Sequence, residues 1–279
     1  MKVFRHTKEE RRSRRRELTD QIRSNRPAFA VWMILRVLVV AVAVRSAMQG
    51  LWESFLSCLL TLVLFLAPPF IEKKLHLKFP TVLEVTIFIF IFCAEILGEI
   101  ECYYIKYAFW DTMLHTVNGF LFAAFGFCLV DLLNENPKAK FQLSPTFLAL
   151  VAFCFSMTIG ILWEFFEFSM DHLLTVDMQK DTIIYGFQSV ALDETARNIP
   201  VSVQQIVRTT IESTDGSVQV IDGYLDIGLT DTVKDLFVNF VGAAVFSVIG
   251  WLYIRQRGRN RIAAAFIPIV QKPQKQETT

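Results

Sequence analysis

Carboxylates, one histidine and two asparagines recur at helical spacing within apolar stretches of this 279-residue chain. Asp111 and His115 are four residues apart, and Glu164 and Glu167 are three apart. Residues at these separations lie on one face of an α-helix, so each pair predicts a helix with a polar face. The same spacing adds further residues to such faces: Glu95, Glu99, Asn118, Asp171, Asp231, Asp235 and Asn239.

Two kinds of chemistry suit such side chains. Carboxylate oxygens with one imidazole nitrogen bind Mg²⁺, Mn²⁺ or Zn²⁺, and Glu-x-x-Glu or Asp-x-x-x-His spacing supplies two ligands from one helix face. Alternatively, closely packed carboxylates share a proton, which suits acid–base chemistry or proton coupling. The sequence contains no Gly-x-Ser-x-Gly, no His-Glu-x-x-His and no phosphate-binding glycine loop, so these motifs do not decide between the alternatives.

The candidate residues take different roles in an enzymatic version of the metal site. His115, oriented by Asp111, is the candidate for proton transfer. Asn239, Asn118 and Trp163 are expected to orient a ligand. The candidate ligands of a divalent metal ion are Glu164, Glu167, Asp235 and Asp231, and a secondary acidic layer consists of Glu95, Glu99 and Asp171.

The composition indicates which elements position these residues. The chain is 53% hydrophobic and 20% charged, with a mean hydropathy of +0.41, which excludes a disordered chain and a disulfide-rich secreted module. The five cysteines show no Cys-x-x-Cys spacing and are interpreted as core residues. Stretches able to cross about 30 Å of hydrocarbon as helices occur at 27–47, 51–71, 81–100, 110–130, 145–170 and 232–253.

Lysine and arginine predict how these spans are oriented. The two tails and the turns near Lys73 and Lys138 carry 21 of them, whereas the segments on the opposite side carry 4. Because positive loops stay in the cytoplasm, both termini are predicted to be cytoplasmic. No removable signal peptide is expected, and the basic tail is expected to contact anionic lipid rather than nucleic acid. The predicted divisions are a basic tail (1–26), helices one to five (27–170), an extracytoplasmic segment (171–230), helix six (231–254) and a cytoplasmic tail (255–279).

The segment 171–230 is the one candidate for structure outside the membrane. Val203, Ile206, Val207 and Ile211 favour a short amphipathic helix. Further along, Asp222-Gly223 lies between β-rich runs and predicts a hairpin. The fold class is therefore an all-α polytopic bundle of six transmembrane helices with a small α+β external segment, which we expect to cover the bundle as a lid.

Three motifs resemble a known family in their order along the chain. These are DTMLH at Asp111 to His115, WEFFEF with Glu164 and Glu167, and DTVKDLFVNFVGA, which carries Asp231, Asp235, Asn239 and Gly242. They resemble the VanZ-like membrane proteins and the related YjdF-type bacterial inner-membrane proteins, over about half the chain. The resemblance implies a multi-pass protein of the bacterial cytoplasmic membrane, with some relatives linked to lipoglycopeptide resistance and most without an assigned activity.

The leading functional hypothesis is an outward-facing carboxylate and histidine pocket that binds a cation and acts on, or binds, a cell-envelope or lipid-linked component. A proton- or cation-coupled secondary transporter is the first alternative. A non-catalytic envelope protein of the antibiotic-shielding type is the second. Arg36 lies near the middle of the first span, where a charge requires a partner or must reach the interface, and its role stays open.

Overall fold

The computed structural model describes residues 26–75, 77–134, 143–174, 176–256 and 264–270. Within them, six helical stretches are long and apolar enough to cross a membrane, which confirms the six predicted spans: Arg26–Met48, Trp52–Leu75, Thr81–Ile100, Trp110–Asp131, Pro145–Leu173 and Leu229–Arg255. The basic tail up to residue 25, the lysine-bearing turn at 135–142 and most of the C-terminal tail lie outside the described residues. The side of the membrane that each end faces stays a prediction.

The chain divides into two compact units, of which the first contains the residues up to Met157 and those from Asn239 onward, and the second contains Thr158–Val238. Two long helices contribute residues to both units. The helices, in chain order, are α1 (Arg26–Met48), α2 (Trp52–Leu64), α3 (Ala67–Leu75), α4 (Thr81–Phe92) followed directly by a π-helix (Cys93–Ile100), α5 (Tyr103–Lys106), α6 (Trp110–Asn134), α7 (Pro145–Leu173) and α8 (Leu229–Arg255).

A proline pair interrupts the second span between α2 and α3. Pro68 and Pro69 occupy the first turn of α3, where a missing N–H is tolerated, but neither can donate back to the end of α2. The carbonyl of Phe65, which residue 69 would otherwise bond, instead accepts a hydrogen bond from Trp32 Nε1 at 3.3 Å. The break is thus closed by a side chain of α1, as membrane-spanning backbone requires.

The first unit has a continuous apolar core of small and aromatic residues. Ala123 and Ala124 of α6, Ala152 of α7, and Ala243 and Phe246 of α8 are fully buried in it. Large apolar side chains such as those of Ile34, Val37, Leu56 and Val248 are more than half exposed. Such broad apolar exposure is what a helix bundle presents to lipid rather than to water.

The second unit contains the segment between α7 and α8, which is built from paired strands rather than from helix and strand. Its elements are β2 (Ile183–Ile184), β3 (Gly186–Ser189), a single 3₁₀ turn (Val190–Leu192), β4 (Val201–Gln204), β5 (Thr209–Glu212), β6 (Val218–Ile221) and β7 (Tyr224–Leu225). The antiparallel pairs are β2 with β7, β3 with β4 and β5 with β6. The three pairs are separate two-stranded ladders.

Two predictions about this segment are wrong in detail. The helix expected from Val203 to Ile211 is absent, because these residues lie in β4, β5 and the connection between them. The hairpin turn joins β5 to β6 at Asp215-Gly216, where Gly216 has φ +83°. The predicted turn residue Gly223 also has a positive φ, of +114°, but it joins β6 to β7, which pair with different strands.

A last ladder lies in the first unit and involves the C-terminal segment. Strand β1 (Leu77–Lys78), which precedes α4, pairs antiparallel with β8 (Ile269–Val270). The C-terminal tail was predicted only as a cytoplasmic extension. Its described part pairs with the folded chain, a contact that the sequence did not indicate.

Candidate functional site

The first turns of α6 carry a paired acid and histidine. Asp111 Oδ1 lies 3.5 Å from His115 Nε2, one helical turn along. His115 is buried, whereas Asp111 is half-buried. Among the described residues, the second carboxylate oxygen of Asp111, Oδ2, is buried and has no hydrogen-bond partner. The predicted α-helical spacing thus produces a contact between the two side chains, which orients the imidazole through the carboxylate.

Deeper along α6, two asparagines predicted to orient a ligand contact each other. Asn118 Nδ2 donates to Asn239 Oδ1 of α8 at 3.4 Å, and Asn239 Nδ2 lies 3.6 Å from the sulfur of Met157. Asn239 is fully buried. A buried amide needs such partners, because an unsatisfied one costs about 1–3 kcal/mol. These two residues therefore join α6 to α8.

Glycines bring the same two helices into backbone contact. A Cβ atom at Gly119 would collide with the carbonyl of Asn239, and one at Gly242 would collide with the carbonyl of Thr116. Small residues permit this close approach between membrane helices. The approach is what brings the Asn118 amide within reach of α8.

Two residues that contact Gly119 or Asn239 were not predicted from the sequence. Ser156 is fully buried on α7 and donates from Oγ to the carbonyl of Gly119 at 2.7 Å, and Met157 contacts Asn239. A signal for Ser156 does exist, because Ser156, Gly160 and Glu164 follow one another at four-residue steps and so share a helix face. No pattern in the sequence indicates Met157.

In the second unit, the later turns of α7 carry a separate acidic pair. Glu164 and Glu167 are both buried, and Trp163 Nε1 donates to Glu167 Oε1 at 2.8 Å. The indole, expected from the sequence to orient a ligand, thus donates a hydrogen bond to a carboxylate. The residues beside these acids are exposed and aromatic, so the helix has one acidic face and one apolar face: Phe165, Phe166 and Phe168.

The acids at the start of α8 differ in environment. Asp235 is 2% exposed, whereas Asp231 accepts a hydrogen bond from the backbone N–H of Lys180 at 2.9 Å. At the end of α7, Asp171 accepts from the backbone N–H groups of Met178 and Gln179 at 2.6 and 2.8 Å. Asp171 and Asp231 therefore hold the segment that follows α7 in place.

Two aspartates in the segment between α7 and α8 have pKa values shifted in opposite directions. Burial raises the pKa of Asp181, and the nearby charges of Asp177, Asp226 and Asp171 raise it further. The pKa of Asp226 is lowered, because hydrogen bonds from Thr230 and from the backbone of Thr182 outweigh its burial. One acid of the group is thus easier to protonate and another is held as the anion.

The acids near the third span take other positions. Glu95 and Glu99 lie on the π-helix, where Glu95 is half-buried and Glu99 is exposed. Glu101, which follows them, binds Arg45 of α1 at 2.5 Å. Arg45 thus neutralises one of the acids at this end of the helices.

Arg36 has a partner that the sequence did not indicate. Its guanidinium lies over the ring of Trp32, 4.4 Å from the centroid and one turn nearer the start of α1. A cation in the apolar part of a membrane is stabilised by an aromatic face and by extending toward the interface. The arrangement accounts for this charge without a substrate.

These features define an integral membrane protein whose spanning helices carry buried carboxylates, a histidine and amides. The chain belongs to the family described as predicted membrane protein (DUF2238), whose profile matches residues 28–256. It is also similar to a protein of Thermotoga maritima described as uncharacterized, with 27% identity over 108 residues, which is 39% of this chain and 54% of the relative. The chain thus spans about half the length of that relative. No solved structure matches this chain. The resemblance to VanZ-like and YjdF-type proteins stays a prediction.

Proposed function

We propose that this membrane protein binds a divalent cation through Asp111 and His115, and uses it to bind or act on a phosphate-bearing lipid-linked component of the bacterial envelope. The observation that carries the proposal is the Asp111–His115 pair, in which a buried imidazole and a carboxylate are aligned at the start of a membrane helix. A carboxylate oxygen and an imidazole nitrogen together suit Mn²⁺ and Zn²⁺.

Further ligands are proposed from the sequence spacing. Asp235 precedes Asn239 by one turn on the continuous helix α8, so the two share a face of that helix. His115 and Asn118 are spaced similarly on α6, and the parallel spacing is why Asp235 is proposed as a ligand. Glu164 and Glu167 are proposed as the remaining ligands. A cation bound by such a set would supply positive charge for a lipid phosphate. In the alternative version, Glu164, Glu167 and Asp235 hold the ion without His115, and His115, oriented by Asp111, moves a proton.

The apolar core of the first unit favours binding or catalysis over transport. Beyond Asn118 and Asn239, the buried residues that follow on α6 and α8 include Ala123, Ala124, Phe127, Ala243 and Phe246. A coupled transporter needs polar groups along its path through the membrane. In the described part of the first unit, this core offers no continuous polar path.

Metal binding by purified protein tests the proposal. In detergent without added lipid, Mn²⁺ binding followed by electron paramagnetic resonance should weaken by at least about tenfold in His115→Ala and in Asp111→Asn, since loss of a ligand or its orienting partner has effects of this size. Glu53→Gln is the matched control, because Glu53 also opens a membrane helix but is exposed. Equal binding by all three variants would refute the site.

A double-mutant cycle tests whether Asp235 serves the same ion as His115. If both bind one cation, His115→Ala and Asp235→Asn have non-additive effects on Mn²⁺ affinity. Additive losses would assign Asp235 to a different role. The lipid half of the proposal predicts that a phosphate-bearing lipid remains bound in mass spectra of the Mn²⁺-loaded protein and is lost from Asp111→Asn.

A further inference from the structure

The C-terminal segment, residues 264–270, enters the helix bundle of the first unit. Ile267 is 5% exposed and belongs to the main apolar core. The ring of Phe266 packs edge-to-face on Phe120 of α6, with 4.9 Å between centroids. Phe120 in turn packs on Phe246 of α8 at 5.1 Å. A segment that follows the last membrane helix therefore contributes side chains to the centre of the bundle.

The depth of this insertion follows from the position of Phe120. It lies 11 residues before Asp131, the end of the membrane-spanning stretch of α6, which corresponds to about 16 Å along the helix axis. The hydrocarbon layer is about 30 Å thick. Phe266 thus contacts α6 about half a hydrocarbon thickness from the end of its apolar stretch, and this distance is the basis for treating the segment as re-entrant.

The backbone of the segment is compatible with this depth. Irregular backbone occurs within a membrane only where it is buried in protein and its polar groups have partners. The β8 strand pairs with β1 through the backbones of Leu77 and Lys78. Pro268 has no N–H to satisfy, and its carbonyl lies 3.9 Å from the thiol sulfur of Cys128. Cys128 is itself buried beneath this cover.

We propose that residues 264–270 form a re-entrant plug that seals the predicted cytoplasmic end of the helix bundle, so that Asn118, Asn239 and the Asp111–His115 pair are reached from the opposite side only. Ile267 belongs to the same buried cluster as the alanines of α6, α7 and α8, and Phe266 packs against that cluster. The plug is argued from contacts within the first unit alone, so a test that rejects the proposed cation binding would leave it unaffected.

The reactivity of Cys128 reports directly on the plug. Single-cysteine variants that retain either Cys128 or Cys58 are alkylated with N-ethylmaleimide in lipid nanodiscs, in the otherwise full-length chain. Cys58 is the matched control, because it is fully buried but lies in a different apolar cluster. In Phe266→Ala/Ile267→Ala, alkylation of Cys128 should accelerate by about tenfold or more, since removing local cover removes the protection of a buried group.

The same measurement can overturn the proposal. Cys58 must keep its slow alkylation in the double variant, and Phe266→Leu, which preserves bulk, must keep Cys128 slow. An unchanged Cys128 rate in the double variant would show that the segment does not seal the bundle. A parallel acceleration at Cys58 would show that the two residues support the whole fold rather than a local closure, and would equally reject the plug.

Discussion

Replacing Gly242 by alanine should separate α6 from α8 at the point where the asparagines meet. A Cβ atom at this position would overlap the carbonyl of Thr116 and come within 2.9 Å of the backbone nitrogen of Phe120. Backbone atoms cannot rotate out of the way as a side chain can. The helices must therefore move apart, and the Asn118–Asn239 hydrogen bond, already 3.4 Å long, is lost.

The size of the effect follows from two opposing contributions. Overpacking costs about 1–3 kcal/mol, and a backbone-to-backbone clash belongs at the upper end. Alanine in place of glycine within a helix returns about 1 kcal/mol. The net destabilisation is about 2 kcal/mol, which corresponds to a melting temperature lower by about 4–8 °C for a chain of this size.

Thermal unfolding in detergent, followed by circular dichroism, measures this change. Gly250→Ala on the same helix is the comparison variant, because its new Cβ would meet the ring of Phe127 at 2.9 Å, and a side chain, unlike the backbone, can move without separating the helices. We expect Gly250→Ala to lower the melting temperature less than Gly242→Ala. A Gly242→Ala protein as stable as the unmodified one would refute the proposed close approach of α6 and α8.

Three further substitutions have defined outcomes. Trp163→Phe removes the N–H that donates to Glu167 and should weaken Mn²⁺ binding by about tenfold; unchanged affinity would contradict a role for Glu167. Ser156→Ala removes a helix-to-helix hydrogen bond and should cost about 0.6 kcal/mol in thermal stability. Asp193→Ala frees the loop that Asp193 holds through the Arg197 backbone N–H, so trypsin should cut faster after Arg197.

The hydrogen bonds around Asp193 also predict a pH dependence. Its pKa is lowered to about 2 by the hydroxyl of Thr195 and by backbone N–H groups, beginning with that of Ile199. Because the folded-state pKa is depressed, the Asp193 hydrogen bonds stabilise the loop in full at pH values above the unfolded pKa of about 4. They are lost as the pH falls toward 2. The protection factor of the Ile199 amide, which compares its exchange rate with the intrinsic rate at the same pH, should be high at pH 5 and fall at about pH 2. A fall centred near pH 4 would contradict the lowered pKa.

Features that depend on a single helix could be predicted from the sequence. Apolar stretches of about 20 residues predicted the six spans, because lipid leaves no alternative to a helix. Four-residue spacing similarly anticipated the contact between Asp111 and His115. Contacts between helices were beyond such patterns, because the Asn118–Asn239 bond depends on where two glycines permit close approach.

The segment between α7 and α8 shows where a pattern has two physical solutions. Its Val, Ile and Thr residues fit both a short amphipathic helix and two strands, and β-branched side chains with few helix-favouring neighbours shift the balance toward strands. Asp215-Gly216 and Asp222-Gly223 both allow a turn with positive φ. Only the ladder from Thr209↔Ile221 to Glu212↔Val218 determines that the first of them closes the hairpin.

The C-terminal segment could not be predicted for a related reason. Phe266 and Ile267 belong to an apolar run too short to span a membrane, and it follows a basic stretch, so composition alone places it at the surface. Phe266 and Ile267 pack instead in the apolar cluster to which Ala123, Ala152 and Ala243 on three different helices belong. That cluster exists only once the three helices are packed, and its parts are far apart in sequence, so the contact is not visible in any local pattern.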